Sequence, residues 1–133
     1  IGMYTSVETG DCSIRNAFAA NDAVSFGSII NAYTQPFLLL YNHRKDRGYR
    51  MEAFAKAIRQ SVAKPVCIGV IGEHKKACAR YMQRATGIRA QAVERPREWI
   101  RAQNVRHVLC AGNIKGEGRQ FLEEMIEEAR QNV

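Results

Sequence analysis

The chain has 133 residues, enough for one domain and too few for two ordinary ones. Apolar residues make up 46% of it and charged residues 25%, which excludes a disordered tail, a collagen and a coiled coil. The net charge is +7, which favours phosphates, nucleic acid, anionic polymers or anionic membranes as partners. No apolar run approaches the ~20 residues of a membrane-spanning helix. The four cysteines form no CxxC pair, and no secretory signal peptide is evident, so we expect an intracellular, reduced protein without a metal site.

Segments with the patterns of strands and helices alternate along the chain. The predicted strands begin near Ser13, Pro36, Pro65, Ala90 and Arg106. Helical spacing of apolar residues follows each of them, in segments that begin near Ala23, Arg50, His74, Pro96 and after the GNIKGEG turn. In the second of these helices the expected apolar stripe extends to Val62. The alternation predicts a single α/β domain over residues 1–133, with a mostly parallel sheet and helices on both faces.

Ligands of such sheets bind at the carboxyl ends of the strands, so the loops that follow strands are the candidate sites. The loop NHRKDRGYR carries Arg44, Arg47 and Arg50, with Asp46 among them. Arginine forks bind phosphates and carboxylates through two parallel hydrogen bonds, and Asp46 could orient one of the arginines. A solvated basic loop is the alternative, but the concentration of charge directly after a buried strand favours a binding function.

Two other loops carry weaker signals. GNIKGEG has glycines that would let backbone amides approach an anion at a helix N-terminus, but it matches neither a Walker A loop nor GxGxxG, and a simple turn is an equal alternative. AAND ends in Asn21 and Asp22, for which helix capping is the favoured role. We expect His43 in a loop and Trp99 in packing. The residues alone predict a basic α/β domain that binds an anionic ligand, either as part of a nucleotide-using enzyme or as a small binding module.

Three motifs in order, NAFAANDAVS, YNHRKDRGYR and CAGNIKGEG, resemble the carboxyl-terminal domain of the poly-γ-glutamate synthase catalytic subunit. That family, known from capsule synthesis in bacteria, belongs to the Mur ligase and folylpolyglutamate synthetase superfamily. The resemblance runs from about Arg15 to the final helix. It implies a Rossmann-like fold and a ligase in which ATP phosphorylates a carboxylate and the amine of glutamate attacks the acyl phosphate.

The resemblance also implies site residues. By similarity to an AHNPxS-type motif, the first loop would lie near nucleotide and substrate, although Ala23 replaces the usual proline. The second loop is similar to NxRxDR and DRxxGKR-like motifs, and the third to a loop that holds the incoming amino acid. The implied nucleotide or substrate contacts are Asn21, Asp22, Ser25, Asn42, Arg44, Asp46, Arg47 and Arg50. The implied amino-acid or polymer contacts are Gly112, Asn113, Lys115 and Gly116. No catalytic residue is implied.

The chain has no GKS or GKT loop and no lysine placed to be carbamylated beside magnesium. ATP and Mg²⁺ would therefore be bound mainly by an ATP-loop domain of the same enzyme, and we expect this chain alone to be inactive. The resemblance further implies glutamate, poly-γ-glutamate and membrane subunits as partners, at the cytoplasmic face of the membrane, with oligomers possible. Nucleic acid is not expected, because aromatic residues are not interleaved with the basic ones. A standalone module that binds nucleotide or an acidic polymer, or a purely structural subunit, remains the alternative.

Overall fold

A computed structural model describes residues 6–18 and 22–131 of the chain, without the side chain of Arg47. Six strands form one sheet in this part: β1 (Ser6–Glu8), β2 (Ser13–Asn16), β3 (Phe37–His43), β4 (Ile68–Gly72), β5 (Ala90–Ala92) and β6 (His107–Gly112). Their order in the sheet is β1-β2-β6-β3-β4-β5. Only β1 is antiparallel to its neighbour, and the other described pairs are parallel. The predicted α/β class is confirmed, whereas β1 was not predicted.

Five helices cover the two faces of this sheet: α1 (Ala23–Asn31), α2 (Gly48–Gln60), α3 (Lys75–Thr86), α4 (Pro96–Gln103) and α5 (Glu117–Gln131). The first three pack on one face with Phe37, Leu39 and Tyr41 of β3, and the last two pack on the other face around Leu38 and Leu40. Successive residues of β3 thus point into opposite cores. All seven of its residues are buried, which explains why the strand is apolar almost throughout. None of the helices in the described ranges has the length and apolar character needed to cross a bilayer.

The predicted second helix needs a correction at its end. It stops at Gln60, so Val62 does not belong to its apolar stripe and is 92% exposed. The ammonium group of Lys64 donates to the carbonyl oxygens of Ile58, Arg59 and Ser61 at 2.6–2.8 Å. A cation that satisfies the last carbonyls of a helix stabilises its end there. The apolar spacing that reached Val62 was therefore coincidental.

Trp99 of α4 packs on the sheet, as predicted. Its side chain is 7% exposed and lies against Gly69 of β4. A β-carbon at position 69 would lie 2.8 Å from two carbons of the indole ring. The absence of a side chain at this position in the strand is what lets the indole lie against the backbone.

We expect Gly69→Ala to destabilise the domain by roughly 1–3 kcal/mol, because the new methyl group would overlap a buried indole ring that has little room to move. Urea denaturation followed by Trp99 fluorescence measures the change. Gly27→Ala is the matched control, since no atom lies within 4 Å of a β-carbon at that position inside α1. There the same substitution should stabilise by up to about 1 kcal/mol through helix propensity. Equal effects at the two positions would contradict this account of the packing.

Candidate functional site at the carboxyl edge of the sheet

The strands that precede three of the loops singled out in the sequence are neighbours and end at the carboxyl edge of the sheet. These strands are β2, β6 and β3, with Asn16 opposite Cys110 and Asn42 opposite Gly112. The chain leaves β2 and β3 towards helices on one face, but leaves β6 towards α5 on the other face. The exits therefore diverge beside β6, which makes this the kind of switch point at whose crevice α/β sheets bind ligands.

Asn42 is buried, with 2% of its surface exposed, and lies under the loop that follows β6. Its side-chain amide nitrogen donates to the carbonyl oxygens of Asn113 and Lys115, the latter at 2.8 Å. Its own carbonyl oxygen accepts a hydrogen bond from the backbone amide of Asn113 at 3.0 Å. Asn42, which the sequence predicted as a ligand contact, therefore fastens the glycine-rich loop to the sheet.

Two glycines of the GNIKGEG motif make room for Asn42. Gly112 has a φ of +93°, and a β-carbon there would overlap the backbone carbonyl of Asn42. At Gly118, in the first turn of α5, a β-carbon would lie 2.6 Å from the side-chain nitrogen of Asn42. The glycines of this motif are thus needed for close approach to Asn42 and for positive φ. Both requirements arise from contacts within the domain, so the glycines are not by themselves evidence of a bound anion.

The exposed part of the same loop carries the remaining predicted residues. The side chain of Asn113 accepts a hydrogen bond from the backbone amide of Lys115 at 2.8 Å, which closes the turn. Gly116 has a φ of +64° and its carbonyl oxygen accepts from the amide of Gln120, so it leads into α5. The side chain of Lys115 is exposed. The turn presents a cation beside the N-terminus of a fifteen-residue helix.

Arg44 and Asp46 form an ion pair in the loop after β3, with 2.8 Å between the arginine Nε and a carboxylate oxygen. Their side chains are 34% and 50% exposed. Asp46 lies in a 3-10 helix (Lys45–Arg47) that leads into α2. The pair holds the Nε edge of the guanidinium, so its terminal nitrogens keep donors for a ligand. This agrees with the expected orienting role of Asp46.

Asp22 and Ser25 bind each other at the start of α1. The Asp22 carboxylate accepts from the backbone amide of Ser25 at 2.8 Å and from its hydroxyl at 3.0 Å. The predicted capping role is confirmed, and the backbone hydrogen bond from Ser25, followed by that from its hydroxyl, lowers the pKa of Asp22. Asn21 and the side chain of Arg47 lie outside the described residues. Arg50, in the first turn of α2, is half-buried.

Sequence reasoning missed an ion-pair cluster beside these loops. Lys75, the first residue of α3, contacts Glu117 at 2.9 Å and Glu94 at 3.5 Å, and thereby joins the regions that follow β4, β5 and β6. Burial lowers the pKa of Lys75, but the hydrogen bond that its ammonium group donates to Glu117 and the two carboxylate charges together raise the pKa above its ordinary value. The three residues are 19 to 42 positions apart, so no local spacing signals the cluster.

His43 is the second feature missed, and its predicted loop position is wrong. It is the last residue of β3 and is 7% exposed, because β3 extends one residue further than its apolar run. Its Nδ1 lies 2.8 Å from the carbonyl oxygen of Glu73, and a carbonyl can only accept, so Nδ1 carries the proton. Its Nε2 is buried without a hydrogen-bond partner in the described ranges. This acceptor lies at the same edge as the candidate loops.

Comparison with known families identifies the domain. The family model described as the poly-gamma-glutamate synthase CapB C-terminal domain matches residues 4–128. The chain belongs to this family. The resemblance inferred from the three motifs is thereby confirmed. No curated protein sequence matches the chain.

A solved structure supports the fold. The folylpolyglutamate synthase of Thermotoga maritima superposes with a TM-score of 0.69 at 15% sequence identity, over 98% of this chain. Identity this low shows the fold alone. The chain spans about a third of that synthase, 32% of its length. The predicted likeness to a carboxyl-terminal ligase domain is therefore confirmed at the level of architecture.

The Asn42 contact can be tested by removing its donors. Asn42→Asp should destabilise the domain by roughly 2–5 kcal/mol, because two buried hydrogen bonds are lost and a carboxylate faces two carbonyl oxygens. Asn113→Asp is the matched control, since Asn113 uses only its oxygen, which aspartate retains. Urea midpoints of the two variants measure the difference. If both variants lose the same stability, Asn42 does not fasten the loop.

The Asp22 cap predicts a pH dependence. Because its folded pKa lies below the ordinary value of 3.8, this group stabilises the fold above that pH, and the contribution is lost as the pH falls through the folded pKa. Asn at this position caps without titrating. The urea midpoint of the wild type should therefore fall relative to that of Asp22→Asn as the pH decreases from about 6 to about 2.5. For Val24→Ala, which changes an exposed side chain of the same helix that does not titrate, the difference from the wild type should stay the same over this range.

Proposed function

We propose that this chain is the substrate-side domain of an ATP-dependent amide ligase that polymerises glutamate through γ-carboxyl linkages. The proposal is supported by family membership and by one geometric observation. The basic loop after β3 and the glycine-rich loop after β6 are neighbours at a switch point of the sheet, fastened together by Asn42. An anionic substrate that reaches this crevice meets guanidinium groups on one side and a helix N-terminus on the other.

Each loop has a part in this proposal. Arg44, oriented by Asp46, binds nucleotide phosphate or substrate carboxylate together with Arg47 and Arg50. The turn of Gly112, Asn113, Lys115 and Gly116 receives the incoming glutamate or the polymer end. The first loop, with Asn21, Asp22 and Ser25, lies towards the nucleotide. Asn42 acts through the position of the glycine-rich turn.

The reaction that we propose for the complete enzyme has two steps. A substrate carboxylate takes the terminal phosphoryl group of ATP and ADP leaves, which gives an acyl phosphate. The amine of glutamate then attacks the acyl carbon, the C–O bond to phosphate breaks, and an amide, inorganic phosphate and a proton remain. Neutralising the carboxylate and phosphate charges at the crevice favours both steps, since fixed cations at developing charge lower barriers strongly.

The remaining components belong to the complete enzyme. In the described ranges no three or more His, Cys, Asp or Glu side chains are grouped to hold a metal ion. We therefore assign Mg²⁺ and the triphosphate mainly to an ATP-loop domain, with this domain closing over them. Membrane subunits would bring the enzyme to the inner face of the membrane, where the polymer is made.

ADP release tests the proposal. The 133-residue chain, an ATP-loop portion of the synthase, and their mixture are each given ATP, Mg²⁺ and glutamate. We expect release only in the mixture, because phosphate binding and substrate binding reside on different pieces. No release in the mixture, with both pieces folded and associated, would overturn the ligase role and favour a binding module. Turnover by this chain alone would contradict the assigned division of labour.

Single substitutions in the complete synthase then locate the site. Arg44→Ala and Arg47→Ala should each lower kcat/KM by roughly 10²- to 10³-fold, as expected for a cation at a transferring group. Arg89→Ala is the control, since Arg89 is exposed and precedes β5 at the opposite edge of the sheet. Full activity of both loop variants would place the chemistry elsewhere.

A further inference from the structure

The positive charge of the chain is concentrated in one segment. Residues 44–92 contain twelve Lys and Arg against three Asp and Glu, a net charge of +9. Residues 1–43 carry −2, and residues 93–133 carry seven charges of each sign. The segment 44–92 includes α2 and α3, which lie side by side on one face of the sheet. The excess of positive charge therefore lies in a segment whose two helices, α2 and α3, cover that face of the sheet.

Five exposed cations form the outer surface of these helices, and we name them the basic face: Lys56, Arg59, Lys76, Arg80 and Arg84. No carboxylate in the described ranges lies within ion-pair distance of any of them. Arg59 donates to the carbonyl oxygen of Ala85 at 3.0 Å, which joins the α2 side of the face to the end of α3. Arg59 thus lies beside the row of cations on α3, and none of the five cations is neutralised by a carboxylate in the described ranges.

The other face of the sheet is built differently. Arg97 and Arg101 of α4 both pair with Glu128 of α5, and Arg130 pairs with Glu127. On that face, Arg97 and Arg101 join α4 to α5. On the basic face, Lys76, Arg80 and Arg84 stand four residues apart on one side of α3, where like charges repel and weaken a helix. The row of Lys76, Arg80 and Arg84 therefore lowers helix stability and has no carboxylate partners in the described ranges. An anionic partner that bound this row would relieve the repulsion between its cations.

The spacing of this row fits a particular anion. Four residues of helix rise about 6 Å. A γ-linked glutamate chain has five backbone bonds per repeat, so when extended it presents one carboxylate about every 6 Å. The carboxylates of such a chain therefore repeat along it at the same interval as Lys76, Arg80 and Arg84 repeat along α3. The row begins close to the Arg44 loop, because His43, just before that loop, pairs with Gly72, three residues before the start of α3.

We propose that the basic face binds the growing poly-γ-glutamate chain and leads it away from the carboxyl edge of the sheet. This inference rests on the ligase function proposed above. Insertion into a membrane would need large apolar side chains among the cations, and binding of single-stranded nucleic acid would need aromatic ones. The exposed residues between the cations of α3 are Ala77 and Gln83, and neither is of those types. Tyr81 of α3 packs against the core, and the exposed Tyr49 is a single ring at the start of α2.

Binding of defined polymers by the 133-residue chain tests the proposal without ATP. The probes are poly-γ-glutamate, single-stranded DNA of equal charge, and vesicles of anionic phospholipid, each measured at several salt concentrations. Poly-γ-glutamate should bind most tightly, with an affinity that falls as salt rises. Lys76→Gln, Arg80→Gln and Arg84→Gln combined should weaken it roughly tenfold or more. The matched control, Arg89→Gln, Arg106→Gln and Arg130→Gln, has the same net charge but should bind within about twofold of the wild type.

Each other outcome overturns the inference. Equal losses in the two triple variants would mean that net charge alone attracts the polymer. Tighter binding of DNA or vesicles would assign the basic face to another partner. If the Lys76, Arg80 and Arg84 variant of the complete synthase makes polymers as long as those of the wild type, the face has no part in synthesis, even though ADP release and the ligase function remain. Shorter polymers at an unchanged initial rate of ADP release are the expected result.

Discussion

The buried amide of Asn42 is the contact on which the carboxyl edge of this domain depends. At the ends of β3 and β6 the chain turns towards opposite faces of the sheet, so the packing of α2 and α5 does not fix the two loops to each other. Asn42 supplies that link through the carbonyl oxygens of Asn113 and Lys115. A buried polar group left without partners costs about 1–3 kcal/mol, so the loop is held in the conformation that satisfies all of them. Glycine at positions 112 and 118 follows from this choice, since a side chain at either would overlap Asn42.

The alternation of buried strands and amphipathic helices was enough to predict the α/β class, because β3 and β4 are covered on both faces and must be apolar throughout. The antiparallel strand β1 escaped prediction because it is three residues long and only Val7 is buried, so no pattern can form. Val62 was misplaced for a different reason. Its spacing agrees with the apolar stripe of α2, but the contacts of Lys64 with the last carbonyl oxygens stabilise the end of α2 before Val62. The spacing of apolar residues does not indicate such contacts.

The candidate site divides in the same way. The loops after β2, β3 and β6 could be predicted to meet, since parallel strands bring their carboxyl ends to one edge. What could not be predicted is which polar side chains serve the fold. Asn42 was expected to contact ligand, yet its nitrogen is used within the domain, while His43 was expected in a loop and instead presents a buried acceptor. Both outcomes depend on residues 30 to 73 positions away, such as Glu73 and Lys115. Such contacts exist only once the sheet has formed.

The two faces of the sheet use cations for opposite purposes. On the face covered by α4 and α5, Glu128 neutralises Arg97 and Arg101 and thereby joins α4 to the carboxyl-terminal part of α5. On the opposite face, the five exposed cations of the basic face have no carboxylate partners in the described ranges. An internally neutralised arginine gives rigidity and little attraction at a distance, whereas an unneutralised row gives attraction and some local instability. The proposed function needs rigidity to hold one small substrate firmly and long-range attraction to hold a polyanion loosely. Neutralised cations on one face and unneutralised cations on the other supply these two properties without weakening each other.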